Sequence, residues 1–369
     1  MSLKRFTDKI GYTGLIRCAL VSVFRIPSQP EPETEFATKV WAEKMPSSLK
    51  GKTYAITGSS RGIGFVLAKN IAKKGGNLIL LNRESKHSAK AFETITKLAE
   101  ETKQGGGVVA TTCDLCDFES VRSAAKKIQE DLKKNSWGLD CLVLNAGLMA
   151  QGDKRTKDGY DLQMQANHLS HFLLTSLLFD VLNETAKKTG DARIVSHSSG
   201  ARNSPDEELR ADSFEKKWAE DSKCKGDDAA MNKWHRYQQS KRANLAFTYA
   251  LQDYIEEHGS AKGALKALCA HPGATNSGLQ SHTHASAWLD RFINGLAVVS
   301  GQSIEDGCLG VALASVLEGV KNGEFYGPKF ITGDAELLDD EREKGAGYSK
   351  EQLKMIWEKS IEATGAKWK

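Results

Sequence analysis

From Gly51 onward the chain alternates short apolar runs with stretches long enough to be helices. Thr53–Thr57, Asn77–Leu81, Val108–Thr112, Leu139–Leu144, Arg193–Ser196 and Leu265–Ala270 read as strands. The runs are continuously apolar rather than alternating, which is the pattern of strands buried on both faces. With helix-length segments between them, they predict an α/β fold: a doubly wound parallel sheet covered by helices on both sides. A glycine turn follows the first run, and a helix begins at about Ile63. Near the other end, Ser349-Lys350-Glu351-Gln352 has the form of a capping box. It opens an amphipathic helix with Leu353, Ile356, Trp357 and Ile361 on one face, ending near Gly365. No internal repeat is evident.

The pattern divides the chain into an N-terminal extension (1–48), one α/β domain (49–335) and a C-terminal helical extension (336–369) packed on that domain. Residues 201–235 are charged and broken by Pro205 and Gly226, and they read as an insertion over the substrate end of the sheet. Met1 to Pro30 carries five basic residues, Lys4, Arg5, Lys9, Arg17 and Arg25, against Asp8. That leader is open to three readings: a structural extension, a targeting segment, or an interfacial helix giving peripheral membrane contact through residues 1–30. Pro27 to Glu35 reads as a linker.

Composition narrows the function. The 369 residues are 40% hydrophobic and 27% charged, as in ordinary soluble globular proteins. A formal charge of +4, with no basic stripe, gives no footprint for nucleic acid. No run reaches the ~18 apolar residues of a membrane span. Seven scattered cysteines fit reduced intracellular thiols, in the cytoplasm or at an organelle or membrane surface. Cys113 and Cys116 have C-x-x-C spacing, but no second such pair exists and His282 and His284 are remote in sequence, so no metal site is expected.

Two segments carry chemistry. Thr57-Gly58-Ser59-Ser60-Arg61-Gly62-Ile63-Gly64 lies between a strand and a helix. Missing Cβ atoms at Gly58, Gly62 and Gly64 permit a tight turn and close approach of a pyrophosphate to the helix N-terminus. At the end of the second strand stand Asn82 and Arg83 rather than an acid, with Arg61 available from the turn. That choice suits a ribose 2′-phosphate and predicts NADP(H), Glu84 notwithstanding. Tyr237 and Lys241 lie four apart, on one face of a helix. A phenol normally ionises near pH ~10, and a neighbouring ammonium would lower that value into the range of a general acid/base. On its own the pair is equally a common surface-helix coincidence.

The ordered set resembles the short-chain dehydrogenase/reductase superfamily. The matching residues are TGSSRGIG (57–64), Asp114-Leu115, Asn145-Ala146-Gly147, Asn167, the serines after Ile194-Val195, and YQQSK (237–241). A closer resemblance, to the retinol dehydrogenase and WW-domain oxidoreductase branch, rests on NHLSHFLLT (167–175), SKRAN (240–244) and FYGP (325–328). It spans about Leu49 to Gly365. The resemblance implies a Rossmann fold with Asn167, Ser199, Tyr237 and Lys241 as catalytic residues. Tyr237 would exchange the proton, Lys241 would lower its pKa and bind the nicotinamide ribose, and Ser199 would hold the substrate oxygen. Asn167 would position a water linking Lys241 to solvent. Ser60, Arg61, Ile63 and the three glycines would cradle the cofactor, and Asp114 with Leu115 would lie at the adenine. Asn145, Ala146 and Gly147 would wall the cofactor, with Pro272, Gly273 and Thr275 against the carboxamide. Ser198 remains an alternative to Ser199. His197 is either a pocket-facing residue or a satisfied polar neighbour.

These readings predict an NADP(H)-dependent oxidoreductase that interconverts a carbonyl and an alcohol on a hydrophobic small molecule such as a retinoid, steroid or lipid aldehyde. Two rivals are a protochlorophyllide-type double-bond reductase and a catalytically idle NADP-binding sensor or scaffold. A homodimer is among the assemblies the resemblance allows.

Overall fold

The computed structural model describes residues 35–102, 104–203, 208–216, 232–259, 263–275, 301–329, 332–339 and 348–368. The leader, much of the 201–235 insertion and the segment following Thr275 lie outside these residues, as do the expectations that concern them.

Among the described residues, eight strands form one sheet in the order β3-β2-β1-β4-β5-β6-β7-β8. They are β1 (Thr53–Thr57), β2 (Asn77–Asn82), β3 (Val108–Thr112), β4 (Cys141–Leu144), β5 (Ala192–His197), β6 (Leu265–Ala270), β7 (Phe325–Pro328) and β8 (Ala335–Leu337). All pairings through β7 are parallel, and β8 closes the edge antiparallel to β7. The expected doubly wound sheet is present, with small boundary differences. β4 starts at Cys141 rather than Leu139, because Asp140 turns its carboxylate to the Thr53 amide and to Lys52 at the strand base. β7 and β8 were not predicted as strands. Each is short, and β7 joins the sheet through two register pairs with β6.

Alternate residues of each central strand feed two separate cores. Ala55, Ile79, Leu81, Leu142, Leu144, Ile194, Ala267 and Cys269 face one side. Tyr54, Ile56, Leu78, Leu80, Cys141, Val143, Val195, Leu268 and Ala270 face the other. This two-sided burial is why the runs are continuously apolar in sequence. The second side is covered by α1 (Glu35–Glu43), α2 (Gly62–Lys73), α3 (Lys86–Glu101) and a helix at Ile304–Val316. The first is covered by α4 (Phe118–Asn135), α5 (Ser170–Thr189), α6 (Asn232–His258) and a helix at Lys350–Thr364. In chain order, Ile304–Val316 is α7 and Lys350–Thr364 is α8.

Local signals set the helix ends. Ser85 and Ser88 cap α3 reciprocally, and Asp117 caps α4 by accepting from the Glu119 amide. Ser349 accepts from the Gln352 amide at the start of α8, and Gly365 ends that helix at φ 64°. Leu353 and Ile356 are buried, while Trp357 and Ile361 are partly so, as the amphipathic pattern required. α8 lies on α5 and α6 through an aromatic cluster. Phe172 sits at its centre, 5.3 Å between ring centroids from each of Phe247, Trp357 and Trp368. Replacing Phe172 by alanine should cost about 3–5 kcal/mol, since a fully buried ring would leave a cavity bordered by three elements. Equilibrium urea unfolding measures this; a loss under about 1 kcal/mol would show that the cluster collapses to fill the space.

Candidate active site

Parallel strands deliver their following loops to one edge, so the sheet gathers residues far apart in sequence. Gly58 follows β1, Arg83 follows β2, and Asp114 comes just after β3. Asn145 follows β4, Ser198 and Ser199 follow β5, and His271 and Pro272 follow β6. Asn167, Tyr237 and Lys241 come from helical segments packed over the same edge.

The glycine turn is enforced from within. Gly58 has φ 69° and Gly62 φ 61°. A Cβ on Gly58 would stand 2.8 Å from the Ala146 Cα, and one on Gly64 would stand 2.5 Å from the Gly58 carbonyl. The turn therefore wraps against the loop after β4. Asn145 pins the two together by donating through Nδ2 to the carbonyls of Thr57 (2.9 Å) and Gly58 (3.2 Å). Arg61 precedes α2 without a side-chain cap, and no acid stands in the first turn. An uncapped, acid-free helix start beneath a glycine cradle fits the pyrophosphate of a dinucleotide. Neighbouring strand ends, Thr57 paired with Leu81, bring the loops of Arg61 and Arg83 out side by side. Both arginines are exposed. Asn82 donates to Ser59 at 3.0 Å, while its own Oδ1 is buried without a protein partner. A buried acceptor of that kind at the strand end fits a ribose hydroxyl. Asp114 makes a local turn, its Oδ1 accepting from the Cys116 amide, and the Leu115 carbonyl accepts from Ser170. Burial pushes the Cys113 and Cys116 thiols up to about 12, so neither is poised as a thiolate.

Asn167 sits in a π-helical turn, Gln165–Leu169, between the short turn Leu162–Met164 and α5. Widened turns of this kind recur at functional sites. Its Oδ1 accepts from the Leu148 amide, and its Nδ2 donates to the Leu148 carbonyl and to Ser240 Oγ. A Cβ on Gly147 would lie 3.3 Å from Asn167 Oδ1 and 3.2 Å from Lys241 Nζ, so amide and ammonium share the space beside that glycine.

On α6, Tyr237 and Lys241 are buried, which removes the surface-coincidence reading. Lys241 Nζ donates to the His197 carbonyl at 2.9 Å and lies 5.9 Å from the Tyr237 ring centroid. Burial pushes Lys241 down to about 8. The electrostatic expectation for Tyr237 needs correcting. Burial is the largest influence and raises its pKa, and the opposing pull comes from a hydrogen bond with Ser199 rather than from Lys241. The serine alternatives also separate. Ser198 spends its hydroxyl on the Lys241 carbonyl at 2.7 Å, whereas Ser199 meets Tyr237. His197 proves to be the satisfied neighbour, with Nδ1 against Asn145 Oδ1 at 2.9 Å. Thr275 donates to the Pro272 carbonyl at 2.7 Å, and Gly273 turns at φ 63°, shaping the loop after β6.

Sequence reasoning gave no role to several supporting residues. Thr57 Oγ1 meets His171 Nε2 and the Ala146 amide, while His171 Nδ1 meets the Asn167 carbonyl. Asn244 joins Lys241 on the His197 carbonyl. His171 and Asn244 lie in the family-like strings, yet their partners follow from tertiary packing.

Fold and site together define an oxidoreductase of Rossmann type. The short chain dehydrogenase family profile matches residues 52–211. Human retinol dehydrogenase 13 is 31% identical over 300 residues, covering 80% of this chain and 82% of its own. Human polyprenol dehydrogenase is 29% identical over 313 residues, 84% of each chain. A crystal structure of an uncharacterised protein from Mycobacterium paratuberculosis superposes with TM-score 0.63 at 26% identity, covering 89% of this chain and 98% of that one. The chain belongs to the short-chain dehydrogenase/reductase superfamily, in its retinol dehydrogenase-like branch.

Buried histidines give the fold a marked pH dependence. Burial pushes His168, His197 and His271 down to about 3 and His171 to about 4. The unfolded chain takes up these protons near pH ~6.5 while the fold does not, so stability is present above that pH and lost as pH falls. Asp161, raised to about 6 by burial, acts in the opposite sense between its folded value and the ordinary carboxylate range. Taken together, these four histidines and Asp161 contribute a slope of about 4 kcal/mol per pH unit near pH ~5. Urea unfolding at pH 7.5, 6.0 and 5.0 should show a steep fall; a flat profile would reject neutral buried imidazoles.

Proposed function

We propose that the protein is an NADP(H)-dependent oxidoreductase interconverting a carbonyl and an alcohol on a hydrophobic small molecule of retinoid, steroid or lipid-aldehyde type. The observation that carries this reading is a buried Tyr237 one turn before a buried Lys241 that shares the space beside Gly147 with Asn167, with Ser199 hydrogen-bonded to Tyr237. Bound there, the nicotinamide supplies or accepts the hydride. The remaining work falls to the chain. Ser199 and Tyr237 hydroxyls hold the substrate oxygen in line, and Tyr237 passes its proton to that oxygen or takes it back. The Ser199 hydrogen bond eases ionisation of Tyr237, while Lys241, held by the His197 carbonyl, is placed to bind the nicotinamide ribose. Asn167 fixes the Leu148 backbone and Ser240 and borders Gly147 together with Lys241, and its role in this proposal is to order a water for proton replacement. Residues 49–335 form the catalytic domain in this proposal, with α8 as a C-terminal extension packed on it. The names of the two dehydrogenases above support an alcohol or its carbonyl as substrate.

The NADP preference is supported by Asn82 at the end of β2 in place of an acid, and by the adjoining Arg61 and Arg83. Replacing Arg83 by alanine should weaken NADPH binding about tenfold, with NADH changed less than twofold, read by fluorescence titration. Equal losses for the two cofactors would reject the 2′-phosphate role. The proton-transfer role is checked by Tyr237→Phe. NADPH binding should survive while turnover of an accepted carbonyl falls at least about a hundredfold. Unchanged turnover would remove Tyr237 from the mechanism, and an absence of any wild-type turnover across retinoids, steroids, aldehydes and quinones would favour an NADP-binding scaffold.

A further inference from the structure

Directly before Tyr237 stands Arg236, among the largest fully buried side chains of the protein. Its Nε lies 3.4 Å from Asp161 Oδ2, and the two side chains are 0% and 1% exposed. The same guanidinium donates through Nη2 to the Gln151 carbonyl at 3.1 Å. A buried arginine is unusual, and a buried ion pair is weak evidence for stability as such. What it joins is more informative.

Asp161 Oδ1 accepts from the Gln163 and Met164 amides, capping the turn that runs straight into the π-helical segment bearing Asn167. Gln163 then reaches the Lys233 carbonyl on α6, a second tie between the same two segments. Gln151 belongs to the loop that leaves β4 through Asn145 and Gly147. In that loop Ala150 is fully buried at φ 48°, a left-handed conformation that a non-glycine residue holds when its surroundings impose it. The carbonyl gripped by Arg236 is that of the very next residue. One planar fork thus meets three elements: the loop at 148–153, the entry to the Asn167 turn, and its own helix with Tyr237 and Lys241.

We propose that Arg236 and Asp161 are positioning residues for the carbonyl substrate, a buried brace that sets the 148–153 loop against Tyr237 and Asn167. The cofactor cradle is formed by other residues, so the brace governs where the substrate oxygen meets Ser199 and Tyr237 without governing dinucleotide affinity. This rests on the oxidoreductase reading for its kinetic consequence, but its structural consequence can be read independently. Geometry favours the arginine specifically: its fork addresses a carboxylate and a carbonyl at once, which a lysine ammonium reaches less well.

The test uses the full chain with Asp161→Asn and Arg236→Gln combined, so that no lone charge stays buried, and Arg236→Lys as the conservative variant. Hydrogen–deuterium exchange should rise at least about tenfold at amides of 148–153 and 162–169 in the double variant, with β1, β4 and β5 unchanged. In Arg236→Lys, exchange at 162–169 should return toward wild type while 148–153 stays raised, since the charge pairs with Asp161 but the second prong is lost. Tyr237→Phe should leave both segments protected. With all-trans-retinal as probe, kcat/KM of the double variant should fall about tenfold, mainly through KM, with the NADPH Kd within twofold. Unchanged exchange in the two segments overturns the brace. So does a uniform rise over the whole sheet, which would mark general destabilisation. Raised exchange with unchanged kcat/KM overturns the positioning role, while a wild type inactive on retinal and on the whole panel of retinoids, steroids, aldehydes and quinones, with the expected exchange pattern, sinks the carbonyl–alcohol reading and retains the brace.

Discussion

Two hydrogen bonds converge on the carbonyl of His197, the last residue of β5. One comes from Lys241 Nζ at 2.9 Å and the other from Asn244 Nδ2 at 3.0 Å. They fasten the buried middle of α6 to the end of a central strand, and Ser198 returns the attachment by donating to the Lys241 carbonyl. β5 is itself held in parallel register by β4 and β6. The spacing of Ser199, Tyr237 and Lys241 is therefore set by sheet backbone rather than by a loop, the condition under which a site keeps its geometry.

The same joint extends toward the glycine turn. The His197 ring meets Asn145, Asn145 holds the Thr57 and Gly58 carbonyls, Thr57 meets His171, and His171 meets the carbonyl of Asn167. His171 uses both ring nitrogens as a neutral donor–acceptor, and His197 donates from Nδ1 to the Asn145 amide oxygen. The lysine ammonium adds to the burial that keeps both uncharged. A single connected network thus couples the glycine turn after β1 to Lys241 and Asn167. Its members come from β1, the loop after β4, β5, the π-helical turn and α5.

Much of this was legible in the residues because it depends on local rules. Two-sided strand burial writes continuous apolar runs, a pyrophosphate cradle demands Gly58, Gly62 and Gly64, and a helix brings Tyr237 over Lys241. Three of the six expected strands keep the bounds read from sequence, and the others differ by one or two residues at an end. What remained hidden depends on partners remote in sequence. β7 and β8 are strands because an edge is available to them, not because Phe325–Pro328 has a strong pattern of its own. The π-helical turn has no local signature, and nothing in the sequence around Arg236 marks its pairing with Asp161 in a distant segment. The pKa argument for Tyr237 failed for a related reason. Spacing along a helix fixes which face two residues share, but the balance of burial and hydrogen bonding at that face is decided by everything packed upon it.

The helix α8 carries a consequence for how the protein acquires its activity. Ser360 meets His168 in the π-helical turn across 192 residues of chain, Ala363 receives Tyr160 across 203, and Thr364 receives Arg122 across 242. Contacts of such separation demand the largest loop closures, and chains rich in them fold slowly. A sheet can assemble and a glycine turn can take shape while the turn that carries Asn167 still lacks its lid of aromatic rings. The geometry of the turn that carries Asn167 therefore depends on a helix whose Ser360 lies 192 residues further along the chain.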